Sequence, residues 1–307
     1  MNTSIWTADA VSNAILQGNA NLEIVFANYL KCFIARLSEY DITLQELQSI
    51  DSLYERVIEG IDKLEKMRKE YLSVIDIFAA SNHPLLERYL PGFFEQLLNF
   101  YEEQGVTLYT GSGANVLRND HYRFFNQSLF IALTAILVEN QCFESLAAIL
   151  QSRFKVYYKS YRMIREVNFM RLREFNYTLN DYLNNSLPKR VSITAEYIFK
   201  YSEQQSFDKL IKADILLYYM SLWYHSDEVL DPYWFPELSV YNQETEILPF
   251  LASKSYFDKA KVLFGVETVE QYKKLLNETE DLLQRGGLYR VPALKVGLLY
   301  DTVASEK

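Results

Sequence analysis

The stretch LQELQSIDSLYERVIEGIDKLEKMRKEYLSVIDIF, Leu44 to Phe78, decides the fold class. Within it Leu47, Ile50, Tyr54, Val57, Ile61, Leu64, Tyr71, Ile75 and Phe78 recur at alternating steps of three and four. Steps of that size place side chains on one stripe of an α-helix. Arg68 alone interrupts the series, and Met67 beside it fills the gap. The faces between carry Glu, Lys, Arg and Asp, the composition of a solvated surface. A stripe this long must be buried against another helix. The chain therefore reads as all-α: an irregular multi-helix bundle opening with a long antiparallel helical hairpin.

Outward from that stretch, Thr7 to Tyr40 reads as the first helix, on Val11, Ile15, Leu22, Phe26, Tyr29, Phe33 and Leu37. Gly18 inside it costs about 1 kcal/mol relative to Ala. The turn falls at Glu39 to Ile42, and Thr43 with Glu46 forms a capping box for the second helix. Pro84 suits the first position of a third helix, where its missing amide has no partner to lose. Pro91-Gly92 predicts a kink or split in that helix before its end near Gln104. Gly105 to Asn119 is a polar, Gly-bearing surface loop. Its Thr110 to Asn115 run lacks the following Lys-Ser/Thr and preceding strand of a phosphate cradle. His121 to Asn140 is apolar on most faces, which places it at the bundle centre. Phe143 to Phe154 is its short partner.

Further helices are expected at Ser192 to Tyr201 and Ser206 to His225, with Asp214 near the apolar face as a paired buried acid. Asp231 to Pro236 is a rigid aromatic loop and Ser239 to Tyr241 a short extended piece. Ser255 caps a helix that Gly265 stops after Phe264. Thr268 and Gln271 make a capping box for a helix ending near Arg285. The last twenty residues form a docked or loose tail. The expected organisation is a hairpin at 1–80, a helical core at 81–285 and a tail at 286–307. One continuous helical domain is preferred over a boundary at 155–190.

Composition supports long helices. Of 307 residues only 10 are Gly and 7 Pro, while 24 are Tyr. Tyr buries a ring and keeps a hydroxyl wet, which suits thick helix interfaces. A net charge of -9 argues against a generally nucleic-acid-seeking surface. Cys32 and Cys142 sit in apolar helical stretches and read as buried free thiols of a reducing compartment. The first residues lack the features of a signal peptide. The most apolar run, Leu129 to Val138, is about half a bilayer span. The expectation is a cytoplasmic protein with no membrane partner.

Charge reverses between Gln151 and Arg190, where nine Lys and Arg face three acids. The binding candidates there are Lys155, Lys159, Arg162, Arg165, Arg171 and Arg173, with Tyr158 and Tyr161. Such cations neutralise phosphates while Tyr rings stack on unpaired bases. Alternatively they pair with the acidic remainder of the chain or with an acidic protein. The pattern predicts an irregular segment with short helices. His83, His121 and His225 are far apart and the cysteines do not cluster, so neither metal nor cofactor is expected. Arg118 to Arg123 gathers an acid, an imidazole and two cations at a helix start. A ribonuclease centre uses such groups; a capping Asp with solvated neighbours is the alternative.

One resemblance rests on Ala213 to Tyr218, Trp234 to Leu238, Val240-Tyr241, Leu248 to Ser255 and Phe264 to Val266, with His121 to Leu137 before them. Roughly residues 121–276 resemble a helical module of bacterial multidomain proteins associated with phage defence. The resemblance implies a sensing or scaffolding role rather than chemistry. The expected function is a non-enzymatic interaction, regulatory or sensor component of a bacterial multi-protein system. Its partner is another protein or a second copy. The alternative is a nucleic-acid-binding protein or ribonuclease using 151–190.

Overall fold

A computed structural model describes residues 6–42, 50–104, 117–158, 162–186, 191–203, 206–224, 233–241, 246–286 and 291–306. Side chains at 50, 100–104, 186 and 281–286 are outside that set. The expected first helix is two helices, α1 (Ala8–Leu16) and α2 (Leu22–Leu37). Gly18 takes φ +60°, and its N–H and that of Asn19 bond back to Ile15 and Ala14. This left-handed closure ends a helix, which glycine alone does without a Cβ penalty. Gly18 therefore does more than weaken the helix: α1 folds back on α2 and buries Val11.

The long stripe forms α3 (Ile50–Ala80), with Val57, Ile61, Leu64, Met67, Tyr71, Ile75 and Phe78 all buried. It runs antiparallel to α2. The Phe26 and Phe78 rings lie 4.4 Å apart at one end, and Phe33 and Tyr71 5.3 Å apart further along. Arg36 grips Glu70 with two 2.8 Å bonds beyond them. Arg68 is not a gap in a solvated face. It is buried, donates twice to Glu65 (2.7 and 3.0 Å), and donates to the Tyr201 carbonyl at 3.1 Å. The Thr43–Glu46 capping box lies outside the described residues.

Helix α4 (Leu85–Gln104) passes through Pro91 unbroken. Most of the Gly105 to Asn119 loop is outside the described residues. Helix α5 (Asp120–Glu139) is the central rod, buried on nearly every face and packed against α3. Helix α6 (Phe143–Leu150) follows. The chain then departs from the expected irregular helices. Strands β1 (Phe154–Tyr158) and β2 (Met163–Val167) form an antiparallel hairpin, with Phe154 opposite Val167 and Tyr158 opposite Met163.

After the hairpin come a 3₁₀ turn (Phe169–Leu172), a π-helical turn (Thr178–Leu183), α7 (Ile193–Lys200) and α8 (Phe207–Tyr224). Helix α8, like α3, packs against α5. The piece expected to be extended at Ser239 to Tyr241 instead ends a 3₁₀ turn, Glu237–Val240, with Tyr241 at its C-cap. Helix α9 (Lys254–Ala260) begins before Ser255, capped by position 253, and Gly265 at φ +61° stops its 3₁₀ extension. Helix α10 (Val269–Gly286) carries the expected capping box. The Gln271 amide donates to Thr268 Oγ1 (3.2 Å), and Thr268 N–H donates to Gln271 Oε1 (3.3 Å).

The tail is docked. Its short helix α11 (Leu294–Gly297) accepts from Ile247 N–H at the Gly297 carbonyl (2.9 Å). Ala304 N–H reaches Leu251, and Glu306 bridges Ser253. One apolar core runs continuously from Val11 to Val303. Among the described residues no helix is long and apolar enough to cross a membrane.

Candidate interaction surface

The hairpin hangs on α4 by one edge. Lys155 N–H donates to Glu95 Oε2 (2.8 Å) and Tyr157 N–H to Asn99 Oδ1 (2.8 Å). Asn99 Nδ2 donates to the Lys155 carbonyl (2.8 Å). Two α4 side chains thus stand where a neighbouring strand would, while Phe154 and Val156 are buried beneath. Strand hydrogen bonds alternate in direction along the chain. Since 155 and 157 face α4, residues 154, 156 and 158 bond to β2, and Ile164 and Glu166 of β2 face outward. Among the described residues nothing pairs with the backbone of Ile164 or Glu166.

The side chains around that edge are apolar and wet. Ile164 is 63% exposed, Met163 42% and Tyr157 38%. An open edge with exposed apolar groups is a template for another strand, and proteins ordinarily shield such edges.

The structure divides the sequence-predicted site residues. Tyr158, Arg165 and Arg171 come together: the two guanidinium carbons lie 5.3 and 5.7 Å from the Tyr158 ring centre. Lys155 is on the opposite face, and Arg162 enters β2 at φ +49°. Lys159 and Tyr161 lie outside the described residues.

Arg171 and Arg173 serve the fold. Arg171 pairs with Glu174 at 2.5 Å, and Arg123 pairs with the other Glu174 oxygen at 2.7 Å. Arg123 continues to Asp120 at 2.6 Å. Arg173 reaches Glu237 at 2.9 Å and lies 5.3 Å from the Phe235 ring centre. Glu237 also accepts from Ser192 Oγ (2.8 Å), whose oxygen caps α7 by accepting from Ala195 N–H. This chain of alternating charge straps 168–178 onto α5 and α7. Breaking such buried pairs costs more than forming them gains, so they fix geometry.

The Arg118 to Arg123 cluster is not an exposed acid–base pair. Asp120 is fully buried as the first residue of α5 rather than its cap. Its Oδ2 accepts from the Thr178 N–H (2.7 Å) and hydroxyl (2.8 Å). Burial pushes its carboxyl above the usual range, against the pull of Arg123 and Thr178. His121 is also buried, its ring packed where a Cβ on Gly60 would lie 3.1 Å away. Burial drives its imidazole down to about 3, so it stays neutral. Asp214 is the buried acid that its position implies. Oδ1 accepts from Trp234 Nε1 (2.7 Å) and Oδ2 from Leu238 N–H (2.8 Å), and burial pushes it up to about 7.

Among the described residues no group of three His, Cys, Asp or Glu is placed to hold a metal ion. A cavity of about 260 Å³ lies between α5, α8 and Phe250, lined by Val138, Leu216, Ile247 and Tyr256. The Glu139–Lys209 ion pair stands at its rim. No family model, curated protein or solved structure matches this chain.

Proposed function

We propose that this protein is a non-enzymatic interaction component: a helical scaffold that presents the β1–β2 hairpin to another protein. The observation that carries the reading is the hairpin's asymmetry. One edge is bonded to Glu95 and Asn99, while the other turns its backbone and Ile164 to water. The rigid bundle beneath supports it, because a strand edge held on a packed helix is already in a binding conformation and loses little entropy on contact. The fate of Arg171 and Arg173, each tied to a carboxylate, weighs against a nucleic-acid groove built from the whole basic stretch. The buried, neutral His121 weighs against acid–base cleavage at Arg118 to Arg123.

We propose that the partner belongs to a bacterial multi-protein system, a reading that rests on the resemblance of residues 121–276 to a defence-associated helical module and on no matched relative. Buried free Cys32 and Cys142 support a reducing compartment such as the cytoplasm.

The test is affinity capture from the native cells with the tagged protein and two variants. Ile164→Lys alters the hairpin edge, and Leu16→Ser alters a remote exposed apolar residue. The reading expects a defined protein retained by wild type and Leu16→Ser and lost with Ile164→Lys. Equal retention by all three overturns it. Salt-sensitive recovery of nucleic acid in place of a protein also overturns it.

A further inference from the structure

The geometry points to a specific occupant: an acidic, extended segment of a partner protein that adds to β2 as a third, antiparallel strand. This inference rests on the hairpin being the contact surface and goes on to name what binds there.

The backbone supplies the frame. Ile164 and Glu166 each turn one N–H and one C=O outward, so an added strand gains up to four main-chain bonds in register with them. Main-chain bonding of this kind gives affinity, and alternate side chains give selectivity. Residues directly opposite in an antiparallel pair share a face and touch. The partner residue opposite Ile164 lies on the outer face, where Tyr157 flanks Ile164 from the other side. That position wants an apolar group. Met163 lies on the other face, opposite Tyr158, and is itself exposed, so the position opposite it is apolar too. The position opposite Arg165 wants a carboxylate, and Arg162, in the turn just before β2, favours another at the partner's C-terminal end. Reading the partner from its N-terminus, the order is polar, acidic, apolar, apolar, acidic.

Charge selects the acidic peptide over a second copy. The exposed hairpin residues Arg153, Lys155, Arg162 and Arg165 outnumber Glu166, in a chain whose net charge is -9. Two such hairpins set edge to edge would bring net positive charge against net positive charge, which disfavours the pairing. An acidic strand meets the reverse situation and is steered in by it.

The experiment measures fluorescence anisotropy of a labelled peptide with a Thr–Glu–Val–Val–Glu core on the full chain, at low and physiological salt. A peptide of the same composition in the order Val–Glu–Thr–Glu–Val is the control. Two variants address the edge. Ile164→Pro removes an outward N–H that plays no part in β1 pairing, a place where edge strands tolerate proline. Arg165→Glu reverses the charge. Circular dichroism and thermal unfolding establish that both are folded.

The inference expects binding to the ordered peptide. Ile164→Pro and Arg165→Glu each weaken it about tenfold, the effect of about 1.4 kcal/mol. A peptide with Lys opposite Arg165→Glu restores it. Equal binding of the control peptide, or indifference to Ile164→Pro in a folded protein, overturns strand addition. Concentration-dependent dimers that Ile164→Pro dissolves overturn the acidic-peptide assignment in favour of a second copy. If a partner is captured through the hairpin while the ordered peptide fails, this inference falls and the interaction reading stands.

Discussion

Asp214→Asn is the substitution whose outcome the structure constrains most tightly. Both carboxyl oxygens accept from buried donors, the Trp234 indole N–H and the Leu238 amide. An amide side chain has one oxygen, so whichever way it turns, its NH₂ faces a donor. An unsatisfied buried donor costs about 1–3 kcal/mol. The pH dependence is more telling. The Asp214 carboxyl rises from 3.8 to about 7 in the folded protein because burial disfavours its charge. The folded chain therefore holds this proton between those values while the unfolded chain does not. Stability from Asp214 is fully present below 3.8 and is lost as pH rises through about 7. From pH 6.5 down to about 4 that is a gain of about 3 kcal/mol, at about 1.4 kcal/mol per unit.

His121 acts in the opposite direction. Its imidazole falls from 6.5 to about 3, so its contribution is present above 6.5 and lost as pH falls toward 3. Wild-type stability thus mixes two opposed terms, and the quantity that isolates Asp214 is the difference between variant and wild type. Urea unfolding followed by circular dichroism at several pH values measures it. The deficit of Asp214→Asn should widen by about 3 kcal/mol on going from pH 6.5 to about 4. A deficit that stays constant within about 0.5 kcal/mol, or narrows toward acid, refutes the account of this site.

Gly297→Ala should loosen the tail. Its Cβ would sit 2.6 Å from Tyr219 Oη, which is held by the Pro292 carbonyl, so a cost of about 1–3 kcal/mol and earlier proteolytic cleavage after residue 290 are expected. Glu174→Ala removes the carboxylate shared by Arg123 and Arg171 and should destabilise by about 3 kcal/mol in thermal unfolding; a change under about 0.5 kcal/mol would show that the charged strap does not hold 168–178. Ile164→Lys should leave unfolding within about 0.5 kcal/mol of wild type, since the side chain packs on nothing in the core. A larger loss would mean that the hairpin edge is structural.

The sequence revealed what is local. The three-and-four spacing of α3 and the Thr268–Gln271 capping box involve neighbours one turn apart, and both stand as read. Gly18 was visible, but helical spacing continues past it. Only the backbone shows that it reverses the chain at φ +60°. Arg68 looked like a gap because one of its partners, the Tyr201 carbonyl, lies 133 residues away, although Glu65, its other partner, is one turn before it. The same distance problem hid the role of Arg173, whereas the partner of Arg171, Glu174, is only three residues on. The charge of Arg173 was plain, yet Glu237 is 64 residues from it, and the Asp120 that anchors Thr178 is 58 residues from its partner. The hairpin left one trace, the alternation of Phe154, Val156 and Tyr158. Its second strand has none, because Met163 to Glu166 are all exposed and no buried face imposes a period of two.

The most direct test of the hairpin as a contact surface is site-specific photocrosslinking in the native cells. A photoreactive amino acid would replace Ile164 in one strain and exposed Leu16 in another. A discrete covalent adduct with one protein from position 164, absent from position 16, is the predicted result. No adduct at 164 above the level at 16, or adducts of equal pattern from both positions, would contradict it.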